Sequence, residues 1–513
     1  MTLGALLTVL DEGRLVAGPA AACVPAALLD RPVTAVSYDS RAVTPGAVFV
    51  ALQGQVADGT SFAGQAAAKG ALAIVASREA PAAGPAPWIR VSDDRLALAA
   101  LSAQYFGHPS RALRVVGITG TNGKTTTAYL VREVLEAAGL SCGLMGTVHY
   151  RIGATIREAA RTTPEATDLQ QMFREMADAG CAACAMEVSS HALSLKRADW
   201  THFAAGVFTN LTRDHLDFHH DMERYFAAKR RLFELLPANA PSVINLDDPR
   251  GAQLLAQFRP AVTYGVDRPA DVTPVSMPRS LIGLSFDVRT PSGVLPVRSR
   301  LSGRFNVYNL LAAVAAGVAI GVPASAIEAG LARVSDVPGR FQVVSSPDDD
   351  VVVVVDYAHT DDALKNLLEA VRPIAAARML TVFGCGGDRD RTKRPLMGAV
   401  AARLSDVVVM TSDNPRSEDP ESIIDEIARG IPLTADRTPS TAAGSRPAPV
   451  CWRVADRRAA IDRAVGEARP GDVVVIAGKG HEKYQVIRDK TLPFDDVQVA
   501  QAALARRRAG RAS

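Results

Sequence analysis

The chain has few cysteines, no surplus of charge of either sign and no long hydrophobic span. Six cysteines are scattered over 513 residues, at Cys23, Cys142, Cys181, Cys184, Cys385 and Cys451. That spread gives no disulfide framework. Only Cys181-Ala182-Ala183-Cys184 has motif spacing, and without a second pair it reads as two buried thiols in a reducing cytosol rather than a zinc site. Lys plus Arg number 57 against 54 Asp plus Glu, so charge makes no case for nucleic acid or acidic lipid as a partner. Residues 1–10 are largely apolar but lack the basic segment of a signal peptide. The charge-free run 310–327 is Ala-, Val- and Gly-rich and is cut by Gly321-Val322-Pro323; it reads as a buried helix, not a membrane span. The expected location is cytoplasmic, without membrane insertion. Much of the small positive excess lies in Arg506-Arg507-Arg508-Ala509-Gly510-Arg511, which reads as a frayed, solvated end.

What is present suits a multidomain α/β protein. The length allows three domains at about 150 residues each, and 48% apolar content supports several cores. Residues 1–110 alternate short apolar strands, at 48–52 and 71–76, with Ala-rich helices. A second unit, 111–337, carries strand candidates at 183–188, 205–210 and 242–245. Val337-Pro338-Gly339-Arg340 reads as a linker into a third unit, 338–513, with strands at 351–356, 379–383, 407–411 and 473–477. The Thr-, Ala-, Ser- and Pro-rich stretch 432–449 reads as an inserted, mobile loop without chemistry.

The second unit opens with Thr119-Gly120-Thr121-Asn122-Gly123-Lys124-Thr125-Thr126. An apolar strand precedes it and a segment of helical period follows, which is the layout of a phosphate-binding loop. The glycines let backbone N–H groups close around phosphate at a helix N-terminus. Lys124 can reach terminal phosphates and the Thr125 hydroxyl can sit on Mg²⁺. The spacing is a compact variant, because Ile118 stands where a Walker A loop has its first glycine.

Four further clusters lie at strand ends, where open α/β sheets bind ligands. Met186-Glu187-Val188-Ser189-Ser190-His191 offers Glu187 as a hard-oxygen Mg²⁺ ligand or as a water-facing carboxylate. In the segment Asn210 to His219, His215 and His219 have the spacing of a helical zinc pair, or of two solvated histidines at a helix start. Asp356-Tyr357-Ala358-His359 ends an all-valine strand, as a ligand contact or a plain exit into a loop. Gly384-Cys385-Gly386-Gly387-Asp388-Arg389-Asp390-Arg391 combines close-approach glycines with arginines suited to carboxylate or phosphate, or forms a turn with solvated charges.

Taken together, these motifs and their order resemble the Mur ligases over nearly the whole chain. The resemblance implies an α/β, three-domain architecture with a central P-loop ATPase-like domain and a C-terminal Rossmann-like domain. It implies an ATP-dependent amide ligase of peptidoglycan precursor synthesis that proceeds through an acyl phosphate. Asp39-Ser40-Arg41 is similar to the signature of ligases adding the third stem residue, and Asp413-Asn414-Pro415-Arg416 to that of ligases adding meso-diaminopimelate. The substrates so implied are ATP, UDP-N-acetylmuramoyl-L-alanyl-D-glutamate and meso-diaminopimelate; a lysine-adding ligase and a folylpolyglutamate synthetase-like ligase are the alternatives. Arg416 can grip the second carboxylate of diaminopimelate, which lysine lacks.

By the same resemblance, Gly120, Thr121, Asn122, Gly123, Lys124, Thr125, Thr126, Asn306, Arg340, Asp356 and His359 contact ATP. Thr125, Glu187 and His215 hold Mg²⁺ with Lys229, which CO₂ converts to a carbamate; helical position alone reads Lys229 as a surface residue. Lys124, Glu187, His215 and Lys229 form the catalytic set. Ser40, Gln55, Val56, Ala57, Thr162, Thr163, Ser189 and Arg197 match UDP-substrate positions. Arg389, Asp413, Asn414, Pro415, Arg416, Gly478 and Glu482 match the diaminopimelate pocket. Arg161 and Leu195 depart from residues common at their positions among relatives.

Overall fold

The computed structural model describes residues 1–54, 57–81, 86–277, 283–346, 348–431 and 448–512. The first sheet holds the strands Ala35–Ser37, Ala47–Val50, Ala73–Ala76 and Trp88–Arg90, parallel and in chain order. Leu3, Leu6, Leu7 and Leu10 recur at helical spacing along Leu3–Glu12 and are fully buried. They pack with the helix Asp94–Tyr105 in one core, each such side chain contributing about 1.5–3 kcal/mol. Thr2 and Asp93 cap these two helices, satisfying backbone donors that the helices leave open.

The central sheet runs Ala261–Tyr264, Ser242–Asn245, Phe203–Phe208, Arg114–Thr119, Ala183–Glu187, Cys142–Met145, His149–Ile152 and Thr155–Glu158. The first six are parallel and the last two antiparallel. Arg114–Thr119 is buried at five of six positions, the continuous apolar run of a strand covered on both faces. One face carries the helices Lys124–Ala137, Arg304–Ala319 and Ala324–Arg333. The charge-free run is therefore two buried helices broken before Pro323. Gly330 lets the second of them approach the helix Lys124–Ala137 closely, since a Cβ there would stand 2.5 Å from Val134 Cα. Among the described residues no helix is long and apolar enough to cross a membrane.

The third sheet places the parallel strands Val352–Asp356, Val473–Ala477, Met379–Phe383, Val407–Met410 and Val450–Arg453 beside the antiparallel Gln342–Val343. A hairpin, Tyr484–Ile487 with Lys490–Pro493, stands apart from it. Most of the 432–449 stretch, residues 432–447, falls outside the described residues.

The C-terminal arginines correct one expectation. They are not frayed but continue the helix Asp496–Ala512. Arg507 pairs with Asp350 at 2.8 Å, Arg508 with Asp349 at 2.8 Å and Arg511 with Asp350 at 2.7 Å. The Arg507 hydrogen bonds hold the Asp350 carboxyl down to about 2. The acidic partners are remote in sequence, so only the tertiary fold brings them to the tail. Arg507→Ala is expected to lower the stability of this unit by about 1–3 kcal/mol, read as a lower denaturation midpoint; an unchanged midpoint would mean that the tail is not anchored through Arg507.

Candidate active site

The phosphate loop sits on the central strand of the middle sheet, between Ala183–Glu187 and Phe203–Phe208. Gly120 has φ +149° and Gly123 φ +87°. A Cβ at Gly120 would lie 1.8 Å from Thr209 Oγ1, so only glycine lets the loop close on the neighbouring strand end. Lys124 opens the helix and donates to the Gly120 and Thr121 carbonyls at 2.9 and 2.8 Å. Thr125 Oγ1 donates to Glu187 Oε2 at 3.0 Å. Glu187 is 1% exposed and also accepts from the Thr147 amide at 2.8 Å and hydroxyl at 3.1 Å. Two adjacent hard oxygens at the head of the loop fit Mg²⁺. Among the described residues no group of three His, Cys, Asp or Glu is arranged to hold a metal, so such an ion would need the threonine, phosphate oxygens or water as well.

Lys229 lies in the helix Met222–Glu234, 1% exposed, and donates to the Gly120 carbonyl at 2.6 Å. The surface placement suggested by helical position alone does not hold, because this helix turns that face onto the phosphate loop. Burial, together with the nearby Lys124, pulls the Lys229 ammonium well below its ordinary range. Burial also lowers Lys124, with Glu187 opposing.

The histidine pair differs from the spacing argument. His215 precedes the short helix Leu216–His219 with φ +54°, so the two rings do not stack on one helix face. His219 Nε2 lies 2.9 Å from Ser190 Oγ. His215 stands 3.3 Å from Asp214, and burial keeps it neutral by pushing its pKa down, as a metal-binding imidazole requires.

The third unit closes over this site. Arg340, from the linker, donates to Thr125 Oγ1 at 3.0 Å and lies over the Tyr357 ring at 4.5 Å. Asp356 accepts from the Phe341 and Ala358 amides, both at 2.7 Å. His359 approaches Asp214 at 3.9 Å, and Asn122 donates to Asp362 at 3.0 Å. Between the units lies a cavity of about 810 Å³ lined by Lys124, Glu187, His215, Lys229, Arg340 and His359, among others. Asn306 does not line it: its amide donates to Ser302 O at 2.7 Å and its Oδ1 accepts from Asn309 at 2.9 Å. Arg304, Tyr308 and Asn309 line the cavity instead. Positions 304 and 308, four apart on one helix, held the signal for that face.

The residues matched to the UDP substrate spread from the cavity toward the first unit. Thr162 and Ser189 line the cavity, and Thr163 donates to the Glu187 carbonyl at 2.9 Å. Arg197 meets Glu165 at 3.0 Å. Ser40 donates to Gln65 at 2.8 Å, and nearby Tyr38 donates to Asp168 at 2.8 Å, joining the first unit to the second. The Ala57 carbonyl accepts from Gly54 at 3.0 Å; Gln55 and Val56 lie outside the described residues.

A second cluster forms at the strand ends of the third sheet. Asn414 donates to Glu482 at 2.9 Å, and Arg416 donates to the Gly387 carbonyl at 2.6 Å. Gly478 has φ +117°, and a Cβ there would lie 2.6 Å from Asp413 Oδ2. Burial and the like charge of Arg389 lower the Arg416 pKa. Among the described residues neither Arg389 nor Arg416 has a carboxylate at ion-pair distance. The Pro415 carbonyl packs on the glycine turn, 1.9 Å from where a Gly387 Cβ would sit. Lys479, which sequence reasoning did not single out, is fully buried here.

Gly120→Ala is expected to weaken ATP binding by more than about tenfold, measured by titration calorimetry. Affinity equal to wild type would show that the loop tolerates a side chain where the structure has none to spare.

The chain matches the Mur ligase middle domain over residues 118–317, the Mur ligase glutamate ligase domain over 339–480 and the Mur ligase family catalytic domain over 32–106. A UDP-N-acetylmuramoyl-L-alanyl-D-glutamate–2,6-diaminopimelate ligase of Solibacter usitatus is 48% identical over 92% of this chain and 93% of that protein. A ligase of the same description from Gloeobacter violaceus is 47% identical over 94% of this chain and 96% of its own length. A solved structure of a UDP-N-acetylmuramoyl-L-alanyl-D-glutamate–2,6-diaminopimelate ligase superposes with a TM-score of 0.65 at 35% identity, covering 94% of this chain and 97% of that one. The phosphate loop, the inter-unit cavity and this likeness along almost the full length place the chain in the Mur ligase family.

Proposed function

We propose that this protein is an ATP-dependent ligase that joins meso-2,6-diaminopimelate to the D-Glu γ-carboxylate of UDP-N-acetylmuramoyl-L-alanyl-D-glutamate. The observation that carries the choice of amino acid is the pair Arg389 and Arg416, which among the described residues have no carboxylate at ion-pair distance, beside Asp413. Such a pocket suits a side chain ending in both a carboxylate and an ammonium. The three units, 1–110, 111–337 and 338–513, divide the work: the first holds the uridine diphosphate end, the second ATP, and the third the incoming amino acid.

The γ-carboxylate attacks the terminal phosphorus of ATP, forming an acyl phosphate and releasing ADP. The amine of diaminopimelate then adds to the acyl carbon, and phosphate leaves. The first step brings anions together, so neutralisation and alignment carry most of the catalysis. Lys124 and Arg340 face the phosphates from opposite units, and the loop amides cradle them. Thr125, Glu187 and His215 are placed to hold Mg²⁺, which when bound offsets charge on the transferring phosphoryl group. Asp356 and His359 sit where the third unit closes over the nucleotide. Thr162, Thr163, Ser189 and Arg197 lead from the cavity toward the first unit, the path the uridine-linked substrate needs.

Lys229 is the site of a carbamate formed with CO₂. Burial and Lys124 favour its neutral amine, the form that attacks CO₂ and then gives up a proton to leave the carbamate anion, which would help to hold the metal. Lys229→Ala is expected to lose ligation by at least about a hundredfold while remaining folded, with partial recovery in formate. Full activity without a carboxylate additive would remove Lys229 from the mechanism.

The functional reading is tested by ADP release and product mass with Mg²⁺, ATP and the UDP-muramoyl dipeptide, comparing meso-diaminopimelate with L-lysine. Turnover with diaminopimelate alone is the expected result; turnover with lysine alone overturns the assignment of the amino acid. Arg416→Ala is expected to lower kcat/KM for diaminopimelate by about a hundredfold, and an unchanged value would remove Arg416 from the pocket.

A further inference from the structure

Three fully buried cations, Arg394, Arg457 and Lys479, surround the third-unit pocket. Two of them hold its walls. Arg394 pairs with Glu418 and Glu426 at 2.8 and 2.9 Å and donates to the Gly386 carbonyl at 3.2 Å. Arg457 pairs with the buried Asp496 at 2.7 Å and donates to the Ala477 carbonyl at 3.0 Å. Lys479 is different, because both of its acceptors are pocket residues: Asn414 Oδ1 and Glu482 Oε2, each at 2.9 Å. Asn414 needs no lysine for its orientation, since the Val486 amide also donates to its Oδ1 at 2.9 Å while its Nδ2 reaches Glu482. What Lys479 adds is a positive charge in direct contact with Glu482, at 2.9 Å.

We infer that Lys479 is a specificity-determining residue, which cancels the charge of Glu482 and leaves the pocket with Arg389 and Arg416 against Asp413. This rests on the reading that the third unit receives the added amino acid. Asp388, engaged by the Ser417 amide and hydroxyl at 3.2 and 2.6 Å, is exposed on the same rim as Arg389 and offsets it. With Glu482 cancelled, the pocket's charges balance, which suits a side chain ending in a carboxylate and an ammonium, itself without net charge. The pocket disfavours one ending in an ammonium alone, because the two guanidiniums stay unpaired and repel it. Removing Lys479 frees the Glu482 carboxylate to receive a lone ammonium, so discrimination against lysine falls.

The test is kcat/KM for meso-diaminopimelate and for L-lysine in wild type, Lys479→Met and Lys479→Gln, the last retaining a donor toward Asn414 should the methionine variant not fold. Each variant is expected to lower the diaminopimelate-to-lysine ratio by about tenfold. Combining Lys479→Met with Glu482→Gln removes both charges and is expected to bring the ratio back toward wild type. If both substrates lose equally in the single variants, Lys479 only supports the fold and the inference is overturned. If the wild type uses neither amino acid, the functional reading falls with it; wild-type turnover of diaminopimelate with an unmoved ratio overturns the role of Lys479 alone.

Discussion

Two lysines from different helices donate to one backbone oxygen, the Gly120 carbonyl, Lys124 at 2.9 Å and Lys229 at 2.6 Å. That contact constrains everything around it. Two ammonium groups in water-poor surroundings at such range repel by several kcal/mol, so at least one is driven toward its neutral form. The fold sustains the arrangement with a strand beneath the loop that is buried at every position after Arg114 and a glycine that alone fits against Thr209. When phosphate enters, Lys124 has an anion to pair with; Lys229, aimed at the same oxygen from behind, is left as a nucleophilic amine. On the proposed reading, one backbone carbonyl thus links a phosphate cradle to a lysine ready for modification.

The same device recurs in the third unit at a different scale. Buried cations there tie loop ends together: Arg457 joins the strand end at Ala477 to the start of the C-terminal helix, and Arg394 secures the glycine turn at Gly386. A buried ion pair adds little net stability compared with an apolar replacement. Its effect is to fix geometry, since breaking either partner strands a charge. The residues proposed to receive the amino acid are therefore held on a fixed frame of buried ion pairs. The linker couples the two sites: Arg340 reaches Thr125, and Gly339, two residues into the third unit, packs so tightly on His481 that a Cβ would lie 2.1 Å from its amide nitrogen.

The parallel strands were legible because β-branched, buried runs leave little choice of structure. The strand Val473–Ala477 and the strand Met379–Phe383 have the bounds their short, largely apolar runs suggest, and the phosphate loop announces itself by glycine spacing and context. Burial of side chains within helices was much less legible. Lys229 occupies a position that helical spacing reads as exposed, and the approach of a distant loop decides otherwise. The arginine tail looked solvated because its acidic partners lie in a different element, and His215 lost its place on a helix face to a left-handed residue at the helix start. Lys479 had no local signal at all, since a lysine between two glycines reads as a turn until Asn414 and Glu482 are brought around it. What the chain writes locally is strand, turn and cap; pairing of buried charges is written only in the tertiary structure.

The central claim, that the lysine pair on Gly120 yields a modifiable Lys229, is tested most directly by ¹³C NMR of the purified protein equilibrated with ¹³C-bicarbonate. A carbamate carbon resonance in the wild type that is missing in Lys229→Ala is the predicted result. A wild-type spectrum without that resonance, or a resonance that persists in the variant, would contradict it.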